Sequence, residues 1–395
     1  MKSVQETRNY INLLELRTKP IQIPLTEANG YTLAEAIFSP IDFPSFEQSA
    51  MDGYALRYED IEKFDTLKLS GVQQAGNTTS ELNLLQGETI RIFTGSKLPQ
   101  GADTVVMQEK VILDGNLIRI NDNALQLGSN VRPKGSQTKI GTQVARIGNT
   151  LKPMFSSFLA GLGITEVTVF SKPTVSIINT GKELIPTGNE LLQGQVYESN
   201  SIGLKHALEN FDIQVISIAH CDDIESELIK QIQLALNQSD ILILTGGVSV
   251  GDYDFVAPCL AKCDVTQLVH KVKQKPGKPF YLGQKNQQLI FGLPGNPAST
   301  MTCFYMYVLP ALQKIMGQSN IGLQVVSAKL TNTYTKKAGL THFVKSYINE
   351  EGVEILGHQE SYKMNTFALA NAIVELDEQT EIVQQGDWVK VHLLN

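Results

Sequence analysis

The sequence predicts a multidomain α/β plus β protein: an α/β unit with a parallel-rich sheet, preceded by a helical or mixed segment and a β-rich insert, and followed by a small barrel or sandwich. Three observations predict it. From 173 to 316, short apolar strands alternate with helical stretches at the spacing of βαβ units. Residues 40 to 141 are strand-like and punctuated by glycine, as in TLKLSGVQQAG, GETIRIFTG and GNLIRIND. After 319 the alternation LQVVSAKL, HFVKSYI, VEIL and DWVKVHLL returns to β.

Taken in order, residues 1–38 read as helical, with a turn at Pro20–Pro24 and an apolar stripe of Val4, Ile11 and Leu14. An apolar helix in 151–170 is stopped by Gly161 and Gly163 and followed by a strand. The α/β unit then runs strand 173–179, helix 201–211 capped by Ser199 or Asn200, strand 213–219, amphipathic helix 224–238 and the apolar strand 240–244. A helix near 255–262, a hairpin in PFYLGQKNQQLIFGL and a long helix over 298–316 complete it. Trp388 is expected in the core of the last β unit, Cys259 and Cys263 read as core residues, and the four cysteines are too few and too scattered for a disulfide framework.

At 395 residues the chain suggests about two to three domains. Its 33 basic and 40 acidic residues give a net charge of −7. That balance argues against a surface that grips nucleic acid, which needs positive faces. No apolar run reaches the roughly 18 residues of a membrane span, and the charged amino terminus is not a secretory signal, so a cytoplasmic protein is expected.

Three loops follow apolar strands and carry unusual chemistry: Thr180-Gly181-Lys182-Glu183, the stretch TGGVSVGDYD at 245–254, and Pro294-Gly295-Asn296-Pro297-Ala298-Ser299. At the carboxyl ends of parallel strands such loops bind ligands. Gly246, Gly247 and Gly251 let the backbone turn and present N–H groups to an anion. Asn296-Pro297 reads as a helix start suited to phosphate or a tetrahedral oxyanion. Beside them, Lys262, Lys271, Lys273, Lys275, Lys278 and Lys285 form a local positive run, with Lys275-Pro276-Gly277-Lys278-Pro279 as a stiff turn. Pro279 stands where a Walker A loop needs Ser or Thr. Glu183, Asp222, Asp223, Asp252 and Asp254 offer hard oxygen ligands for Mg²⁺ beside a phosphate, although Asp222 or Asp223 could instead cap the helix near Ile224.

The motifs PSFEQSAMDGYA (44–55), RIFTGSKLPQGADTVVMQE (91–109), NVRPKGS (130–136), NTGKEL, GGVSVGDYDF, KPGKP and GLPGNPAS are collinear, and together they resemble the MoeA family, which includes the E domain of gephyrin. The resemblance implies a homodimer of four-domain subunits. These are a discontinuous domain I (1–40 with 139–170), a β-rich domain II (41–138), a MogA-like α/β domain III (171–318) and a β-barrel domain IV (319–395). It implies molybdenum insertion into adenylylated molybdopterin with release of AMP, using molybdate and a divalent cation such as Mg²⁺. Asp52 and Thr94 would reach the active site from the partner subunit. Asp52, Thr94, Glu183 and Asp254 would be catalytic, and Glu183, Asp223 and Asp252 would hold the cation. Gly246, Gly247, Ser249, Lys275, Lys278, Pro294, Asn296, Ser299 and Lys345 would bind substrate, with molybdate on Lys275, Lys278 and Ser299. The adenylyltransferase of the same route and recipient apo-molybdoenzymes would be partners.

The sequence departs from the family where an acid or amide gives way to Lys182, and in the fourth domain. There GRxEFxR becomes Gly339-Leu340-Thr341-His342-Phe343-Val344-Lys345, and a later GSGxLxSLAxAN becomes QESYKMNTFALAN, with Ser361 and Thr366 as candidate hydroxyls. Lys in place of Arg loses bidentate oxyanion recognition. The competing functions are a peptide-holding scaffold and a MogA-type adenylyltransferase. Retained Asp52, Thr94, Glu183, Asp254, Lys275 and Lys278 favour the transferase.

Overall fold

The structure, a computed structural model, describes residues 1–76, 82–248 and 255–394. It has a multidomain α/β plus β architecture with three six-stranded sheets.

The amino-terminal helix is shorter than its periodicity suggested. Ser3 and Glu6 form a reciprocal capping box, and the helix runs Val4–Asn12. Val4, Ile11 and Leu14 are buried as the stripe required. The helical reading of 13–38 is corrected: Pro20–Pro24 is a strand, not a turn, and it pairs antiparallel with Glu166–Phe170. Proline is tolerated there because the ribbon has only two strands, so one edge needs no ladder donors. Ile37–Phe38 pairs with Gln143–Ala145 in the same way. These two pairings bring the ends of the intervening 39–142 segment together.

That intervening segment holds one mixed sheet, in the order Thr104–Met107, Gly53–Leu56, Glu88–Ile92, Leu67–Gln73, Leu117–Ile120, Val111–Asp114. The α/β sheet has the order Gln214–Cys221, Thr174–Thr180, Ile241–Thr245, Gln288–Leu293, Tyr281–Lys285, Thr266–His270. Its first four strands are parallel; Tyr281–Lys285 runs antiparallel to them, and Thr266–His270, antiparallel to Tyr281–Lys285, runs parallel to them again. The Ile241–Thr245 strand shows why no polar face appears in its sequence. Ile241 and Ile243 enter the apolar cluster around Leu204, Leu208 and Tyr307, while Leu242 and Leu244 enter the opposite cluster around Leu228, Ile232 and Leu260. With helices on both faces, a period of two leaves no outward position. The expected long helix over 298–316 is interrupted: Pro297–Cys303 and Leu309–Ile315 are α-helical and Phe304–Val308 between them is π-helical.

The carboxy-terminal sheet runs Gln274–Lys275, Thr341–Asn349, Ala372–Leu376, Trp388–Leu393 and Val325–Lys329, with Gly352–Ile355 also paired to Thr341–Asn349. A bridge from Leu330 to Val353 joins the last strand back to Gly352–Ile355 and closes the barrel. Trp388 is corrected from core to surface. It is 66% exposed and its ring carries the Lys329 ammonium, whereas Val389 and Val391 point inward. Alternation along the strand assigns the tryptophan to the outer face. No helix among the described residues is long and apolar enough to cross a membrane. All four cysteines are buried and unpaired.

Candidate active site

A cavity of about 880 Å³ opens over the carboxyl ends of Thr174–Thr180, Ile241–Thr245 and Gln288–Leu293, three neighbouring parallel strands. Its volume lies in the range of sites that take a drug-sized or larger ligand. Glycine at 246 is dictated by geometry: its φ is +83°, and a Cβ there would stand 2.4 Å from the Thr180 carbonyl oxygen. Gly246 and Gly247 both line the cavity. The Gly246 N–H, however, donates to the Leu293 carbonyl at 3.2 Å, so the expectation that this amide faces an anion is corrected. Ser249, Gly251, Asp252 and Asp254 lie outside the described residues.

The third loop forms the next wall. Pro294, Asn296 and Ser299 line the cavity. Asn296 is the helix N-cap with Pro297 in the first turn, as the sequence indicated, yet its side chain makes no capping bond. Its Nδ2 donates instead to Ser361 Oγ of the barrel at 2.9 Å. The Ala298 N–H also turns to the barrel, donating to the Ser361 carbonyl at 3.2 Å. Behind this wall, Asn200 Nδ2 donates to the Gly295 carbonyl at 2.8 Å.

Of the six clustered lysines, Lys275 and Lys278 line the cavity. Lys262 pairs with Glu225, Lys273 with Glu378 at 3.4 Å, and Lys285 donates to the Cys263 carbonyl at 2.7 Å. The turn bearing the two cavity lysines is held from three directions. Gln274 and Lys275 pair in parallel with Thr341 and His342 of the barrel. The Val272 N–H donates to the Lys278 carbonyl at 3.0 Å. Below, the Tyr307 hydroxyl from the π-helical stretch donates to Gln274 Oε1, and Gln274 Nε2 donates to the Pro276 carbonyl at 2.9 Å. Gly277, at φ +86°, packs so close that a Cβ would meet Cys303 Sγ at 2.5 Å. The turn is therefore preorganised while both ammonium groups remain at the exposed surface of the cavity.

Glu183 and Asp223 line the same cavity. Asp222 does not; its carboxylate lies 3.7 Å from His220 Nε2. Neither aspartate caps the following helix, whose N-cap is Ile224 without a side-chain bond. Among the described residues no three His, Cys, Asp or Glu side chains converge on one point. Mg²⁺ asks for less, since it binds one or two carboxylates together with substrate phosphates.

Asp52 and Thr94 are brought together in the β-rich insert, and neither lines their own chain's cavity. The Asp52 carboxylate accepts from both the Thr94 N–H and the Thr94 hydroxyl, at 2.8 Å each. These bonds, backbone first, hold its pKa below the usual carboxylate range, helped by the charge of Arg91. Arg91 was missed from the sequence. It stacks over Phe93 at 4.9 Å and Tyr54 at 5.0 Å and donates to the Gly53 carbonyl, and the only signal for it was its place two residues before Phe93-Thr94.

Lys345 is also corrected. It is 4% exposed and does not line the cavity. Its ammonium donates to the carbonyls of His358, Glu360 and Lys363 at 2.9, 3.2 and 3.1 Å. The barrel instead presents Leu340, Gln359, Ser361 and Tyr362 to the cavity, while Thr366 is buried elsewhere. Gln359 and Tyr362 were missed, because they sit on an irregular loop with no local pattern to mark them.

Residues 2–163 match the family model for the MoeA N-terminal region (domain I and II), residues 183–314 that for the "Probable molybdopterin binding domain", and residues 327–394 that for the MoeA C-terminal region (domain IV). The chain is 35% identical over 397 residues to a molybdopterin molybdenumtransferase of Haemophilus influenzae, covering 99% of this chain and 98% of the relative. A molybdopterin molybdenumtransferase of Staphylococcus epidermidis is 33% identical over 401 residues, covering 99% and 95%. Among solved structures, the molybdopterin biosynthesis MoeA protein of Pyrococcus horikoshii superposes over 100% of both chains with a TM-score of 0.86 at 30% identity.

Proposed function

The chain belongs to the MoeA family and is a molybdopterin molybdenumtransferase, inserting molybdenum into molybdopterin to form the molybdenum cofactor; from that premise we propose which of its groups do the work. Adenylylated molybdopterin lies on the strand-end loops with Gly246, Gly247, Pro294 and Asn296. Molybdate sits at Lys275, Lys278 and Ser299. The observation that carries this reading is the pair of cavity-facing lysines on one fixed turn, beside a buried serine at the first turn of the Pro297–Cys303 helix.

A molybdate dianion and an electron-rich dithiolene repel one another. Two ammonium groups in a partly enclosed cavity lower that repulsion more than they would in water. The Ser299 hydroxyl donates to a molybdate oxygen and fixes the orientation of the tetrahedron. Two sulfur–molybdenum bonds form as molybdate oxygen leaves with the thiol protons as water, and a water cleaves the phosphoanhydride so that AMP departs. Asp52 is held ionised by Thr94 and therefore suits accepting a proton from, or orienting, that water rather than donating one. Ser249 and Asp254 are proposed beside it on sequence grounds. Mg²⁺, when bound, would neutralise substrate phosphate charge. Glu183 and Asp223 supply two hard oxygen donors on the cavity wall that fit it, with Asp252 as a third from the sequence.

Since neither Asp52 nor Thr94 lines its own chain's cavity, a homodimer in which the insert of one subunit completes the site of the other is part of the proposal. So is the division into 1–40 with 139–170, 41–138, 171–318 and 319–395, supported by the strand pairings that join the two sides of the insert. A cytoplasmic setting agrees with four unpaired cysteines, and the adenylyltransferase and apo-molybdoenzymes are the expected exchange partners.

The test is reconstitution with adenylylated molybdopterin, molybdate and Mg²⁺, reading AMP release and activation of an apo-molybdoenzyme. Wild type should do both, and Lys275→Ala should lose the molybdate-dependent step. Equal activity of wild type and Lys275→Ala would sink the assignment.

A further inference from the structure

We propose that Lys345 is a positioning residue: its buried ammonium holds the 358–363 loop of the barrel in the shape that walls the cavity. The inference rests on the reading of the cavity given above.

The geometry that supports it is a two-sided clasp. From behind, one ammonium satisfies the carbonyls of His358, Glu360 and Lys363, which span the whole loop. The Lys345 backbone adds to the hold, since its N–H donates to Gln359 Oε1 at 2.9 Å and its carbonyl accepts from Gln359 Nε2 at 2.8 Å. From the front, Ser361 meets Asn296 and the Ala298 N–H of the α/β unit. Gln359, Ser361 and Tyr362, all within the clasped loop, face the cavity.

The loop cannot hold this form by regular structure, because 356–363 belong to no helix or strand. His358 even sits at φ +57°, a conformation that side-chain-bearing residues seldom adopt. Three carbonyls converging on one point repel each other unless a donor stands between them. A single ammonium has three rotatable donors and no acceptor, which matches that demand. A residue with all three donors engaged has none left for an anion, so its effect on molybdate passes through the loop.

The experiment uses the full-length protein as wild type, Lys345→Met and Lys345→Arg. Equilibrium binding of molybdate and of adenylylated molybdopterin is measured separately, together with amide hydrogen exchange over 356–364. In Lys345→Met the loop amides should exchange faster. Molybdate should bind about tenfold more weakly, the scale of lost support for a ligating group. Binding of adenylylated molybdopterin should weaken less, by a few-fold, since the same loop braces Asn296 through the one neutral hydrogen bond accepted by Ser361. Lys345→Arg keeps the charge, but its planar fork cannot reproduce three bonds from one nitrogen. It should also loosen the loop and weaken molybdate, and it carries the test alone if Lys345→Met fails to fold. Molybdate binding that is kept or improved in Lys345→Arg, or weakened in Lys345→Met with unchanged loop exchange, would overturn positioning in favour of direct charge contact. Wild-type molybdate binding that ignores Lys275→Ala would instead defeat the cavity reading, while the exchange data would still report what holds the loop.

Discussion

The sheet side and the barrel side of the cavity use the same residue type in opposite ways. On the sheet side, Lys275 and Lys278 stand on a turn braced from beneath, with their ammonium groups exposed over the cavity. On the barrel side, Lys345 and Lys336 are buried, and both donate to backbone carbonyls of their own domain. A buried cation left unpaired is costly, so one found with its donors engaged is part of the scaffold. An exposed cation over a cavity gives little to folding and is available to an anionic substrate. Charge counted along the sequence cannot separate these two uses; the hydrogen-bond partners can.

The largest effect should come from removing the sheet-side charges. Lys275→Ala combined with Lys278→Ala should lower molybdate-dependent cofactor formation by about a hundredfold or more. Unfolding should shift by only about 0.5 kcal/mol, as for exposed substitutions generally. A large drop in stability by denaturant titration would place these lysines in the scaffold class and break the comparison. Next in size, Asp52→Ala and Lys275→Ala should each be nearly inactive alone. Mixed and allowed to exchange subunits, they should recover about a quarter of wild-type activity, because half the dimers would carry one intact site. An assay of the mixture that shows no recovery would argue that each subunit works alone.

Asn296→Ala removes one bond between the two sides. A neutral hydrogen bond is worth about 1 kcal/mol, so binding of adenylylated molybdopterin, the substrate assigned to Asn296, should weaken by only a few-fold, which titration calorimetry can read. His342 sharpens the comparison through pH. Burial first, and then the charges of Lys336 and Lys275, push its pKa down to about 4. The unfolded chain takes up that proton near pH 6.5 and the folded chain does not. Stability from this group is therefore full above about pH 6.5 and is lost progressively as the pH falls to about 4. His342→Gln should flatten that part of the urea midpoint against pH. The smallest effect is expected at Trp388, exposed on the outer barrel face, where Trp388→Ala should change stability by no more than about 0.5 kcal/mol.

The parts of this architecture that were legible in the sequence are those where periodicity and burial coincide. The strand ending at Thr245 is apolar up to its last residue because helices cover both faces, and the loops after Thr180, Thr245 and Leu293 carry the glycines and the Asn296-Pro297 pair that mark a strand-end site. The Lys275–Lys278 turn was legible because proline and glycine fix its backbone. Pro20–Pro24 was not, since a two-stranded edge ribbon with prolines at both ends shows no strand propensity and acquires its form from Glu166–Phe170, more than a hundred residues away. The role of Lys345 was hidden for a related reason. A lysine in a strand reads as a solvent-facing charge, and only the fold of a loop that follows it supplies three carbonyls to bury it. Arg91 and Asp52 likewise meet across paired strands rather than along one stretch of chain.

The claim that the sheet-side lysines hold the oxyanion can be tested without any assay of turnover. Crystals of the protein soaked in molybdate would be measured at the molybdenum absorption edge to locate the metal directly. One anomalous peak is expected inside the cavity, with molybdate oxygens about 3 Å from the Lys275 and Lys278 ammonium nitrogens and from Ser299 Oγ. A peak beside Lys345, or one outside the cavity with those lysines untouched, would contradict it.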